Sequence, residues 1–183
     1  MLDLLEEGEL RPTAARIAER AGVALRSVFQ HFADLEALFS AAAERQMERL
    51  SGLLRDLPSD GPLVERLEAF VEQRARLLEA IAPVRRAALL REPFSPEIAS
   101  RLQGIRQLKR AEVEHVFAPE LVRRRRGDRQ ELVELLAAVS SWPMWESLRR
   151  HQRLSFERAR HALARTIAAL LGKDEILDGF RRL

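Results

Sequence analysis

Apolar residues recur every three or four positions along almost the whole chain, and nowhere do they alternate with polar ones over the length of a strand. A spacing of three and four puts side chains on one face of an α-helix, whereas a half-buried strand needs a period of two. Aromatic β-formers are scarce, at 5% with no tyrosine, and most of the eight glycines and eight prolines fall between the periodic segments. The expected fold class is therefore all-α.

The start and stop signals divide this pattern into helices. Asp34 is a good N-cap, with Glu36 in the first turn, for a stripe of Leu35, Leu38, Phe39, Ala42, Met47 and Leu50. A second helix begins near Pro62, and Pro83 is expected to end or kink it, since proline lacks an amide proton and clashes with the preceding turn. Ser95-Pro96-Glu97 starts another, with Ile98, Leu102, Ile105 and Leu108 along one face. Arg123–Arg126 with Gly127 interrupts the pattern and reads as a solvated loop. Asp128 with Glu131 is expected to cap the next helix, lined by Leu132, Leu135, Leu136, Val139, Trp142 and Trp145, with a kink at Pro143. Ser155 caps the last, which ends at Gly172.

At 183 residues the chain is long enough to bury a core for one domain or two small ones. Cysteine is absent, which removes disulfides, thiolate metal sites and cysteine nucleophiles, and makes a reducing cytoplasm the expected location. No stretch approaches the roughly 20 apolar residues of a membrane span, so no membrane partner is expected. The isoelectric point of about 10.3 exaggerates the basicity of a chain whose net charge is +3. Only Lys109 and Lys173 are lysines, and neither tyrosine nor cysteine titrates at alkaline pH. The first fifty residues even carry six arginines against nine acids.

Residues 13–32 hold the most specific signal. A short helix from Thr13 to Ala21 would turn Ile17 and Ala18 inward, Gly22 permits a left-handed turn, and a second short helix follows from about Ala24. Two short helices about a glycine turn make a helix-turn-helix, whose second helix enters the DNA major groove. Val23, Val28 and Phe32 are expected to face the core. Thr13, Leu25, Arg26, Ser27, Phe29, Gln30 and His31 form the expected DNA-binding set. Arg26 suits guanine O6 and N7, Gln30 suits adenine N6 and N7, and Ser27 and His31 suit phosphates. Residues 10–32 carry four arginines against the single Glu19; Arg16 and Arg20 read as salt-linked surface residues.

The string Ile17-Ala-Glu-Arg-Ala-Gly-Val, followed by Val28-Phe29-Gln30-His31-Phe32 and Leu35-Glu36-Ala37-Leu38-Phe39, resembles the N-terminal DNA-binding domain of the TetR family of bacterial repressors. The resemblance covers residues 1–50. It implies a three-helix helix-turn-helix domain over 1–50 and a helical ligand-binding and dimerisation domain over 51–183. Helices at about 129–151 and 155–171 would pair across a two-fold axis. The implied protein is a homodimer that binds a palindromic operator and releases it when a small-molecule effector enters the second domain. The family commonly has Tyr at the position of Phe29 and Lys at that of Leu35, and its first helix usually begins earlier, so the opening helix here reads as truncated.

Phe94, Phe117, Trp142, Met144 and Trp145 are the candidate ligand-binding residues, and they favour an apolar or aromatic effector. Aromatics at helical spacing serve equally as core. Glu112 and His115 make one Glu-x-x-His spacing; a di-metal bundle enzyme needs two, and no second is found. With no Gly-x-Ser-x-Gly turn and no glycine-rich phosphate loop, no catalytic residue, metal or cofactor is expected. A helical dimerisation protein whose DNA-binding half has lapsed is the other reading left open.

Overall fold

A computed structural model describes residues 1–172. Every regular element among them is helical, so the fold is all-α. The α-helices in chain order are α1 (Leu2–Glu6), α2 (Ala14–Ala21), α3 (Leu25–His31), α4 (Leu35–Leu50), α5 (Leu63–Ala80), α6 (Ala82–Arg91), α7 (Pro96–Val116), α8 (Ala118–Val122), α9 (Arg126–Val139), α10 (Trp142–Glu146) and α11 (Phe156–Leu170).

Four of them begin at a side-chain cap, of which Asp34, Ser95 and Ser155 are expected from the sequence and Thr13, expected inside α2, is found as its cap. Thr13 Oγ1 accepts the Arg16 amide at 3.2 Å, Asp34 Oδ1 the Ala37 amide at 2.7 Å, Ser95 Oγ the Ile98 amide at 3.2 Å and Ser155 Oγ the Arg158 amide at 3.3 Å. Each satisfies a helix-end donor that has no partner within the helix. Pro83 falls in the first turn of α6, where its missing N–H costs nothing.

Two starts differ from the sequence reading. α9 begins at Arg126, capped by Arg125 without a side-chain bond, so Arg126 and Gly127 belong to the helix and Asp128 lies inside its first turn instead of capping it. The helix expected over 129–151 is broken at Ser140–Ser141. Ser140 Oγ donates to Leu136 O at 2.7 Å, and its carbonyl oxygen accepts from Arg74 Nη1 at 3.1 Å. Pro143 has no N–H to give Val139, so the chain restarts as α10 and passes into a π-helical turn over Ser147–His151.

The chain forms two compact units. The first takes Met1–Leu54 with Glu79–Gln103; the second takes Arg55–Leu78 and the chain from Gly104. The segment 51–183 is thus shared between them, and α5 and α7 each contribute to both.

In the first unit, α1 packs on α6 and α2 on α3. Leu4, Ile17, Ala18, Val28 and Leu38 form a small core with Met1 and Phe32 against it. On α4 the buried positions are Leu38, Phe39, Ala42, Gln46 and Leu50. Gln46 turns inward because its Nε2 donates to Ala80 O at 3.0 Å, and Met47, expected on the stripe, is exposed.

The second unit has the larger core, built by Leu67, Phe70, Val113, Phe117, Leu136 and Ile167 among others, with α9 packed on α11. Leu135 and Leu108, expected on buried faces, are exposed. Two buried arginines cross this core. Arg66 grips Glu120 through two bonds at 2.6 and 3.0 Å and donates to Val116 O. Arg74, 3% exposed, stacks on the Phe70 ring at 4.6 Å and reaches Glu112 at 2.7 Å. A cation removed from water needs partners on every side, and these carbonyls and carboxylates supply them.

Candidate nucleic-acid interface

α2 and α3 owe their geometry to three local features. Thr13 fixes the start of α2, and Ile17 and Ala18 bury its inner face. Gly22 then takes a left-handed conformation at φ 66° and ψ 29°, which closes α2 and redirects the chain. The Val23 amide donates to Ala18 O at 3.0 Å, which ties the turn to the last turn of α2 and leaves the Val23 side chain outside, at 47% exposed, instead of in the core.

In α3 only Val28 is fully buried. It anchors the helix to the small core, with Phe32 half-buried one turn on. The rest of the surface is presented outward: Arg26, Gln30 and His31 are exposed, with Leu25 at 45% and Phe29 at 49%. Ser27, expected on that face, is half-buried. Thr13 is exposed while its hydroxyl is held as the cap of α2.

The charges sort themselves by pairing. Arg16 binds Glu19 at 2.9 Å and Glu9 at 3.3 Å, and Arg20 binds Glu7 at 2.5 Å. The hydrogen bonds of Glu19 and then Glu9 hold the Arg16 guanidinium above its ordinary value. Glu7 and Glu9 come from the acidic stretch before α2, so the positive excess counted over residues 10–32 is largely neutralised from outside that window. No ion pair holds Arg26 among the described residues. A free guanidinium and a free carboxamide, one turn apart on an exposed face, are the donor types that read purine edges.

The aromatic set expected to bind a ligand is divided. Phe94 belongs to the first unit and is 83% exposed. Phe117, Trp142, Met144 and Trp145 belong to the second. Phe117 is fully buried with its ring edge-on to Phe70 at 5.2 Å, and Trp145 is buried edge-on to Phe156 at 5.7 Å. Trp142 is buried and Met144 half-buried. Phe117 and Trp145 therefore act as core.

Glu112 does not stand ready for a metal. It accepts from Arg74 Nη2 at 2.7 Å, Lys109 Nζ at 2.9 Å and Gln73 Nε2 at 3.4 Å. Burial works to raise its pKa, but the Arg74 and Lys109 charges prevail and hold it below the usual carboxylate value. Burial in turn lowers Arg74, and burial together with the Arg74 charge lowers Lys109. His115 is exposed, with Nε2 3.2 Å from Leu57 O.

The sequence reading missed a cleft of about 600 Å³ in the first unit, which opens beside Thr13 and Phe94. Its signal was the pair Arg11 and Arg91, too distant in sequence to associate. Comparison with protein-family models, with curated proteins and with solved structures finds no match.

Proposed function

We propose that the chain is a DNA-binding transcriptional regulator of the TetR type, a repressor that holds a palindromic operator as a homodimer and lets it go when a small-molecule effector binds. The observation that carries this reading is the contrast along α2 and α3. Arg16 and Arg20 are tied into ion pairs, whereas Arg26 and Gln30 are exposed and without a partner among the described residues, on the outer face of a helix anchored by Val28. α3 is the recognition helix of a helix-turn-helix, and Thr13 at the start of α2 and His31 at the end of α3 meet phosphates.

Dimerisation runs through the segment 129–151, which α9 opens, and through α11, and the exposed Leu135 of α9 offers apolar surface for a second copy. The two recognition helices then meet half-sites about 34–36 Å apart, one turn of the duplex. The protein works in the cytoplasm and performs no catalysis. No helix among the described residues is long and apolar enough to cross a membrane, which accords with that location.

Selection from a random duplex pool tests the reading directly. The parent is expected to enrich a two-fold palindrome, and Arg26→Ala with Gln30→Ala is expected to lose it, at about 1–3 kcal/mol for each base contact removed. A pool in which both proteins enrich the same sequence equally would overturn the assignment of α3. A pool in which neither enriches anything would favour a dimerisation protein whose DNA-binding half has lapsed.

A further inference from the structure

The first unit contains a cleft of about 600 Å³, within the range of small-molecule sites. It lies where the α1–α2 connection, the start of α4, the end of α6 and the start of α7 converge. Pro12, Leu35, Leu90, Phe94 and Ile98 give it a mainly apolar wall. Leu35, Leu90 and Phe94 remain exposed, with Phe94 the most exposed large apolar side chain among the described residues, so this wall has an apolar face without a partner.

The charged groups in the wall are of two kinds. The acids are occupied: Asp34 caps α4 through the Ala37 amide, and Glu36 accepts from the Ser95 hydroxyl. The cations are held less fully, with no carboxylate hydrogen-bonded to either among the described residues. Arg91 donates to Leu10 O and Ala87 O at 3.1 Å, both through Nη1, while its plane covers the Phe39 ring at 4.7 Å. No hydrogen bond or ion pair holds Arg11 among the described residues. Burial, and then the charge of Arg11, lower the Arg91 pKa, so the two guanidiniums repel each other.

We propose that this cleft binds a small organic anion, with an apolar body against Phe94, Leu90 and Leu35 and a carboxylate between Arg11 and Arg91. Planar guanidiniums suit a carboxylate, and an anion there relieves their repulsion. The same cleft holds the caps of both α2 (Thr13) and α4 (Asp34), the two helices on either side of α3 in the chain. An occupant that parts these caps changes how α3 is presented. This regulatory consequence rests on the DNA-binding reading, whereas the binding itself does not.

Calorimetric titration of the full chain with 2-naphthoate, and with neutral 2-naphthamide as control, tests the binding without DNA. Saturable binding of the acid is expected, with the amide about tenfold weaker, as expected for one charge-assisted contact. Arg11→Glu, at an exposed position, is expected to keep the fold by circular dichroism and to weaken the acid about tenfold, and Phe94→Ala is expected to weaken it about threefold. Absence of saturable binding up to roughly 1 mM overturns the proposal, as does equal affinity for acid and amide untouched by both variants. If Arg11→Glu instead abolishes only DNA binding, and naphthoate does not bind, the cleft meets a DNA phosphate and the small-ligand site is wrong. Because the titration contains no DNA, its failure leaves the operator reading standing, and failure of the operator selection leaves the titration to be judged by itself.

Discussion

The two units solve the same problem with opposite means. The first holds α2 and α3 on a handful of side chains, Leu4, Ile17, Ala18, Val28 and Leu38, and the ion pairs of α2 with Glu7 and Glu9 lie on the surface. The second encloses a broad core and drives two arginines through it, each met by a carboxylate and a carbonyl. Surface pairs such as Arg20–Glu7 contribute little, about 0–1 kcal/mol, because water competes and long side chains must be ordered. Buried pairs are costly to break, since the partner left behind cannot reach solvent. A shallow unit is therefore free to adjust, and a deep one is committed to a single arrangement.

The largest expected effect comes from breaking that commitment. Glu112→Leu strands Arg74 and Lys109 and is expected to lower stability by about 3 kcal/mol in urea titration. The pH dependence follows from the depressed Glu112 value. Its contribution is fully present above the ordinary glutamate value of 4.5 and is lost as pH falls through the lower folded value, a dependence that the leucine variant lacks. Equal stability of parent and variant across that window would show that the buried pair is neutral.

An intermediate effect is expected in the first unit. Ile17→Ala removes a main contact of its small core at about 2 kcal/mol. Hydrogen exchange is expected to quicken in α2 and α3 while the amides of α9 and α11 keep their protection. Uniform quickening throughout would mean that the units do not differ in local stability.

The smallest is Gly22→Ala. Nothing lies within 4 Å of an added Cβ, so only the left-handed backbone resists, at roughly 1 kcal/mol. Thermal unfolding measures it, and a loss much above that figure would reveal packing around the turn that the open space does not suggest.

Much of this was legible in the sequence because it is local. Asp34, Ser95 and Ser155 cap helices through amides three residues away, and Gly22 turns the chain within its own neighbourhood. What escaped depends on partners far along the chain. The break after Val139 joins a local proline to the distant Arg74, which holds the Ser140 carbonyl. Gln46 turns inward for the Ala80 carbonyl, displacing Met47 from the expected stripe. On the candidate DNA face the residue types were readable, and so was the salt-linking of Arg16 and Arg20; the partners Glu7 and Glu9 were not, because they lie outside the two helices.

That neutralisation changes the thermodynamic count of a charged encounter. Association with a polyanion gains its salt dependence from small ions released into solution, about 0.9 per duplex phosphate neutralised. Arg16 and Arg20 carry their counterions inside the protein, as Glu9, Glu19 and Glu7, and these cannot be released. A slope of log affinity against log salt would number cations such as Arg26 that no ion pair holds among the described residues, not every arginine on the surface.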